Sequence, residues 1–288
     1  MRIVRFPKNP IIVPEMDDRM GSNINGPSLI RVPAWLPNPL GKYYLYFAHH
    51  QGQYIRLAYA DHLEGPWTIY EPGTLHLDET PFHGHIASPD VHIDDEKREI
   101  RMYFHGPVLP TQQMTRVAHS TDGIHFTCLP ELLGPSYFRV FWWDGYTYAL
   151  AMPGIFYRSL DGLTNFEQGP TLFTPNMRHT AVKVDGDVLS VFYSNAYDCP
   201  EHILLATIQL TPDWMTWTAS APVSVLKPEM AYEGADLPLE PSQRGWIPER
   251  VHQLRDPAIF REDGRAYLLY SVAGEHGIAI AELCETDT

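Results

Sequence analysis

Cysteine is scarce in this chain. The three present, Cys128, Cys199 and Cys284, lie too far apart for a disulfide framework or the paired spacing of a zinc site, so each reads as a separate buried thiol. Basic charge is also in short supply. Lys and Arg number 21 against 35 Asp and Glu, and the resulting net charge of -14 repels phosphate backbones and anionic membrane surfaces. Nucleic acid and membranes are therefore not expected partners. No apolar run approaches the length of a membrane span or a signal-peptide core, because the opening "MRIVRFPKNPIIVP" is broken by Pro7, Pro10 and Pro14. A cytoplasmic location is the expectation. The chain also lacks a glycine-rich phosphate loop, a Gly-x-Ser-x-Gly elbow and an HExxH pair, which sets aside nucleotide-dependent, serine-hydrolase and zincin chemistry.

What is present is a repeat. Hydrophobic residues make up 44% of the 288 and charged ones 19%, enough apolar material for a large core in one globular domain over 1–288. The same phrase recurs five times. Its openings are "NGPSLIRV" from Asn25, "ASPDVHI" from Ala87, "LGPSYFRV" from Leu133, "MRHTAVKV" from Met177 and "LRDPAIF" from Leu254. Each is followed by an aromatic-rich run of strand length, such as "KYYLYFAHH", "EIRMYFHGP" and "AYLLYSVAG". Asp144-Gly145, Asp185-Gly186 and Asp263-Gly264 supply hairpin turns in three of them. A third strand follows, and in four copies a fourth that carries Trp67, Phe126, Phe166 or Trp217.

Four strands per unit and five units specify an all-β, five-bladed β-propeller with each opening strand nearest the axis. The last copy stops after three strands, so closing the ring requires "RIVRF" or "PIIVP" from the N-terminus as the outer strand of the fifth blade. The longest insertion, roughly 226–251, contains Trp246 and is expected to shape a ligand site.

In such a ring, polar residues at the heads of the opening strands converge on one axial funnel. With the proline as a ruler, Asp90 follows it in the second copy and Asp256 precedes it in the fifth, beside Arg255. Asn25 and Ser28 stand in the first, Ser136 in the third, and Arg178, His179 and Thr180 in the fourth. A carboxylate on an inner strand is costly without a partner, so chemistry is the expectation for Asp90, whereas Asp256 before a proline serves equally as a turn initiator.

With these residues in view, the chain resembles the five-bladed glycosidases of glycoside hydrolase family 43 and relatives among the invertase-like enzymes, neoagarooligosaccharide hydrolases and mannoside phosphorylases. "SPDV" at 88–91, "RDP" at 255–257 and "ADHLEGPW" at 60–67 carry the resemblance. It implies a hydrolase acting on a small glycoside or oligosaccharide in the funnel. It also implies a base aspartate before the first-blade proline and an acid glutamate at the third, where this chain has Gly26 and Leu133; the triad is incomplete.

Glycoside hydrolysis needs one group to protonate the leaving oxygen and another to activate water or attack the anomeric carbon. The resemblance of "SPDV" implies that Asp90 orients and tunes; Asp256 is the expected base or nucleophile and His179 the expected acid, since imidazole titrates near neutrality. Glu233 is a second acid candidate, though a solvated loop carboxylate is its plainer reading. Asn25, His85, His105, Arg178, Arg255 and Trp246 are the expected substrate contacts, with Trp35, Tyr54 and Tyr197 as further stacking candidates. His49 and His252 also sit at strand ends. The sequence demands no cofactor. It leaves open a metal ion at the axis, the oligomeric state, and two other functions. One is a sugar-binding propeller without turnover. The other is a histidine-metal lyase or isomerase on an acidic sugar, with Arg178 or Arg255 holding its carboxylate.

Overall fold

Aromatic and β-branched runs become strands because both faces of a central sheet strand can be buried, and here they are. In the first blade Leu45 and Phe47 face one neighbouring blade while Tyr44 and Tyr46 face the other. A computed structural model describes residues 1–284. Five antiparallel sheets result, and their innermost strands are Asn25–Arg31, Ala87–Asp94, Arg139–Trp143, Met177–Asp185 and Arg255–Glu262. These inner strands pack against one another around an axis, the fifth against the first, so the sheets close a ring. Each of five apolar clusters lies between two adjacent blades. The core is thus a set of five wedges, and the aromatics Trp67, Phe126 and Trp217 fill their outer ends as the repeat predicts.

The fifth blade is completed by the N-terminus. Arg2–Arg5 pairs antiparallel with Ile278–Cys284, with Arg2 opposite Cys284 and Arg5 opposite Ala281. Of the two segments proposed for this task, "RIVRF" is the strand, and "PIIVP" contributes a single bridge from Ile12 to Ile278. The third copy of the phrase departs from expectation. Gly134–Pro135 pairs with Met114 and Thr115 on the outer side of blade two, and the inner strand of blade three begins only at Arg139. The physical reason is local: Leu133 N–H donates to Thr115 O at 2.9 Å and Thr115 Oγ1 to Pro135 O at 2.6 Å, so the chain follows one blade's edge before crossing to the axis.

The 226–251 insertion reaches that axis. Arg178 donates to Gln243 O and Gly245 O, and Arg255 also donates to Gly245 O, so two buried guanidiniums pin its tip. Its base is held by Glu233, which is fully buried and not the solvated loop carboxylate of the plainer sequence reading. Glu233 accepts hydrogen bonds from Arg5 of the closing strand at 2.7 Å, from Tyr270 Oη at 2.9 Å and from the amides of Glu229 and Met230. It therefore knots closing strand, insertion and blade five together. None of the three cysteines is the fully buried thiol expected: Cys128 and Cys284 are partly buried and Cys199 is exposed. No helix among the described residues is long and apolar enough to cross a membrane.

Removing the Glu233 carboxylate strands four donors in or near the core. Glu233→Ala is expected to lower unfolding free energy by about 3 kcal/mol, read as a reduced midpoint in chemical denaturation.

Candidate active site

A kink opens every inner strand. Gly26, Ser88, Tyr137, His179 and Asp256 all have left-handed backbones, with φ of 59°, 52°, 70°, 50° and 46°. In four blades this residue sits where the ladder to the second strand slips, between Asn25 and Ser28, Ala87 and Asp90, Arg178 and Ala181, and Arg255 and Ala258. Such a conformation costs a non-glycine residue about 1–2 kcal/mol. Its effect is directional. The four side chains at these positions, Ser88, Tyr137, His179 and Asp256, line one cavity of about 410 Å³ at one mouth of the axis. At the fifth, Gly26, an added Cβ would meet Ser88 Cα at 3.1 Å, so the first blade gives its slot to backbone packing.

Past the slip the side chains face the other way, and Ser28, Asp90, Arg139, Ala181 and Ala258 line a separate cavity of about 450 Å³. The expectation that Asp90 shares a cavity with Asp256 and His179 therefore fails. The bulge inserts one residue between proline and ladder, and a one-residue shift moves a strand side chain to the opposite face. Asp90 Oδ2 instead accepts the Val140 amide at 2.7 Å and lies 2.8 Å from His92 Nε2, latching blade two to blade three. Burial opposes its charge, but His92, Arg139 and the Val140 amide together hold its carboxyl below the usual range.

Asp256 is shaped differently. Only 2% exposed, it receives the Tyr137 hydroxyl on Oδ1 at 2.5 Å, while Oδ2 has no partner among the described residues. Burial and the nearby charge of Glu275 push its carboxyl up to about 6, against the pull of Tyr137, Arg178 and Arg255. Glu275 takes most of the available cation: it accepts from Arg255 at 3.0 Å and Asn23 at 2.5 Å, and lies 3.6 Å from His50 Nδ1. Burial works against its charge too, yet His50, Arg255 and Asn23 hold it at about 2. Two carboxyls that share cations thus titrate far apart.

His179 does not fit the acid role expected of it. Burial first, then the charges of Arg178 and Arg255, pulls its imidazole well below the ordinary value, so it is neutral at pH 7. Arg178 Nε and Nη2 donate to His179 Nε2 at 3.2 and 3.0 Å, and a guanidinium has no acceptor to offer. The ring proton is therefore on Nδ1, which lies 3.6 Å from Asp256 Oδ1 and has no hydrogen-bond partner. His105 is alike: burial, helped by His85, His50 and Arg139, lowers it strongly, and its Nδ1 is buried and unpartnered. Half-buried His85 is lowered mainly by burial.

Among the other expected contacts, Asn25, His85, His105 and Arg178 line the cavity with Asp256. Asn25 Nδ2 is already bonded to Asn23 and Glu275. Arg255 does not reach the cavity. Fully buried, it bonds to Glu275, Gln253 and Gly245 O and lies 3.3 Å from Glu201, so it supports the floor instead of meeting substrate. Trp246 is 41% exposed beside the lining residues Arg244 and Gly245 but is not itself in the wall. Trp35 donates to Asp95, Tyr54 stacks on His76, and Tyr197 is exposed; none of the three lines this cavity. His49 and His252 are also outside the wall, whereas His50, unnoticed in the sequence, is in it. No three His, Cys, Asp or Glu side chains among the described residues converge as metal ligands.

Sequence reasoning passed over Tyr137, Glu275 and Glu201. Tyr137 was hidden because the proline ruler pointed to Ser136. Glu275 carries one faint signal, a carboxylate between Gly274 and Gly277 at a strand end.

No protein-family model matches the chain. It is 39% identical over 324 residues to the uncharacterized protein R118 of Acanthamoeba polyphaga mimivirus, covering 98% of this chain and 90% of that one. Among solved structures it is similar to a GH43_1 enzyme from Xanthomonas citri, with a TM-score of 0.64 and 13% identity over 93% of this chain and 89% of that one. CoXyl43, a GH43 beta-xylosidase/alpha-arabinofuranosidase from a compost microbial metagenome, gives 0.62 and 15% over 93% of both. A thermostable family-43 glycoside hydrolase gives 0.62 and 14% over 97% of this chain and 93% of that one. At these identities the likeness is one of fold: the chain has the five-bladed propeller of the family 43 glycosidases.

Two outcomes follow from the carboxyls. The folded Asp256 keeps its proton up to about pH 6 and the unfolded one releases it near 4, so its stabilising protonation is complete below 4 and lost as pH rises through 6. Asp256→Asn should therefore match wild type near pH 4 and exceed it by about 2–3 kcal/mol at pH 8 in denaturation midpoints. Asp90→Ala, which orphans the Val140 amide, should cost about 2 kcal/mol at pH 7 in the same assay.

Proposed function

The chain belongs to the family of the mimivirus protein R118, and we propose that it is a carbohydrate-active enzyme that hydrolyses a small glycoside bound in the cavity at the kinked end of the axis. One observation carries the reading. Asp256 lines that cavity and has a buried Oδ2 without a partner, on a carboxyl raised to about 6, and the lining residues His105 and His179 each have a buried, unpartnered Nδ1. Buried polar atoms normally find partners, and a polyhydroxylated ligand supplies them. A carboxyl that holds a proton close to neutrality is suited to giving it to a leaving oxygen. The fold shared with family 43 glycosidases adds support by analogy.

In this reading Asp256 is the general acid, in place of the base or nucleophile role read from the sequence. Tyr137 holds its Oδ1 so that Oδ2 carries the mobile proton. The Nδ1–H of His179, fixed by Arg178 on the ring's far side, donates to a substrate oxygen. Activation of water falls to a neutral imidazole of the same wall, His85 being half-exposed and so open to solvent. Asp90 acts only through the blade contact it makes.

The sugar-binding alternative is favoured by one fact: Asp256 is the single carboxyl in the cavity wall among the described residues. A screen of aryl glycosides and short oligosaccharides, read for turnover and by calorimetry, separates the two. Hydrolysis is expected, with kcat/KM falling about tenfold per pH unit above pH 6 and Asp256→Asn losing at least a thousandfold in kcat while still binding. Binding without turnover across the screen would replace the enzyme reading with the binding one.

A further inference from the structure

The cavity wall has more cationic than acidic side chains. In a chain of net charge -14, Arg178 and Arg244 line it against Asp256 alone. The buried charges beneath balance two against two, since Arg178 and Arg255 face Glu201 and Glu275 at 3.0–3.7 Å. Two guanidiniums remain outside that balance. Arg139, under the Tyr137 ring at 4.3 Å, is bonded only to backbone carbonyls, those of Ser88, Pro89, Phe138 and Thr180, and its Nη2 has no partner. Arg244, exposed at the rim on the tip of the insertion, donates to Pro175 O and has no carboxylate within ion-pair distance among the described residues.

Resting on the carbohydrate reading, we propose that the sugar recognised here bears a carboxylate, as a uronic acid or uronide does, and that Arg244 receives it at the rim. Arg178 and Arg255, to which the sequence assigned such a role, are spent: every nitrogen of Arg178 is bonded to His179 or to the insertion's carbonyls, and Arg255 is walled off. Arg244 keeps free N–H groups in the planar fork that matches a carboxylate. In a chain of net negative charge, an arginine free of carboxylate partners at the cavity mouth is a favourable place for an anion. A volume of about 410 Å³ lies within the range of small-molecule sites.

Calorimetry on the full chain tests this with matched sugars: glucuronate and galacturonate, the methyl esters of both, and glucose and galactose. The expected result is that at least one uronate binds ten times more tightly than its ester and its neutral hexose, and weakens with added salt. Arg244→Gln should erase that margin and leave the neutral sugars within twofold, with Arg244→Lys intermediate. Neutral sugars binding as well as the uronates, or Arg244→Gln weakening all sugars alike, overturns the proposal and leaves the carbohydrate reading intact. If neither class binds, both fall.

Discussion

One guanidinium at the centre of the ring organises the rest. Arg139 is 3% exposed and has no carboxylate within ion-pair distance among the described residues; its Nε and Nη1 donate to carbonyls of blades two, three and four. Burying a charge is costly, and carbonyl dipoles turned toward it are what make it tolerable. The residues that own these carbonyls are Ser88 and the neighbours of Ser88, Tyr137 and His179, so the left-handed kinks and the buried cation depend on each other. Tyr137 lies on the guanidinium and passes its hydroxyl to Asp256. A single cation thereby reaches from blade packing to the atom proposed to move a proton.

Around this centre the ionic groups are sorted by what competes for them. Glu201 and Glu275 are fully buried and absorb Arg178 and Arg255, which leaves Asp256 with a hydroxyl partner and a raised proton affinity. Exchanging these partners would reverse the arrangement: an arginine on Asp256 would ionise it permanently and remove its use as a proton donor at neutral pH. Burial, helped by the same arginines, keeps His179 neutral, and Arg178 sets its tautomer. Structural ion pairs and proposed chemistry are one network here, which is why Arg255 matters to the site without touching its contents.

The blades were legible because strand-length aromatic runs and Asp-Gly turns recur, and each requires two packed faces. The closing strand was legible because a three-stranded last blade leaves an edge. The head of each inner strand was less so. A proline marks the kink in blades one, two and five but not in three and four, and the residue on either side of it ends on opposite faces of the molecule. Asp256 and His179 meet because both hold the left-handed position; Asp90, two residues beyond its equivalent Ser88, does not. The burial of Glu233 and Glu275 could not be read, because key partners lie far away along the chain, Arg5 228 residues from Glu233 and Asn23 252 from Glu275. Burial of a charge is a tertiary fact, and local pattern carries no trace of it.

The pairing of Arg2–Arg5 with Ile278–Cys284 joins the first described strand to the last. Until Ile278–Cys284 has been made, the earlier segment has no partner strand, and without that segment the fifth sheet has an open edge. Any other copy of the molecule offers an identical segment with identical hydrogen bonds. The seam is therefore where crowded nascent chains would exchange arms, and a dimer formed that way would keep both sets of blades whole.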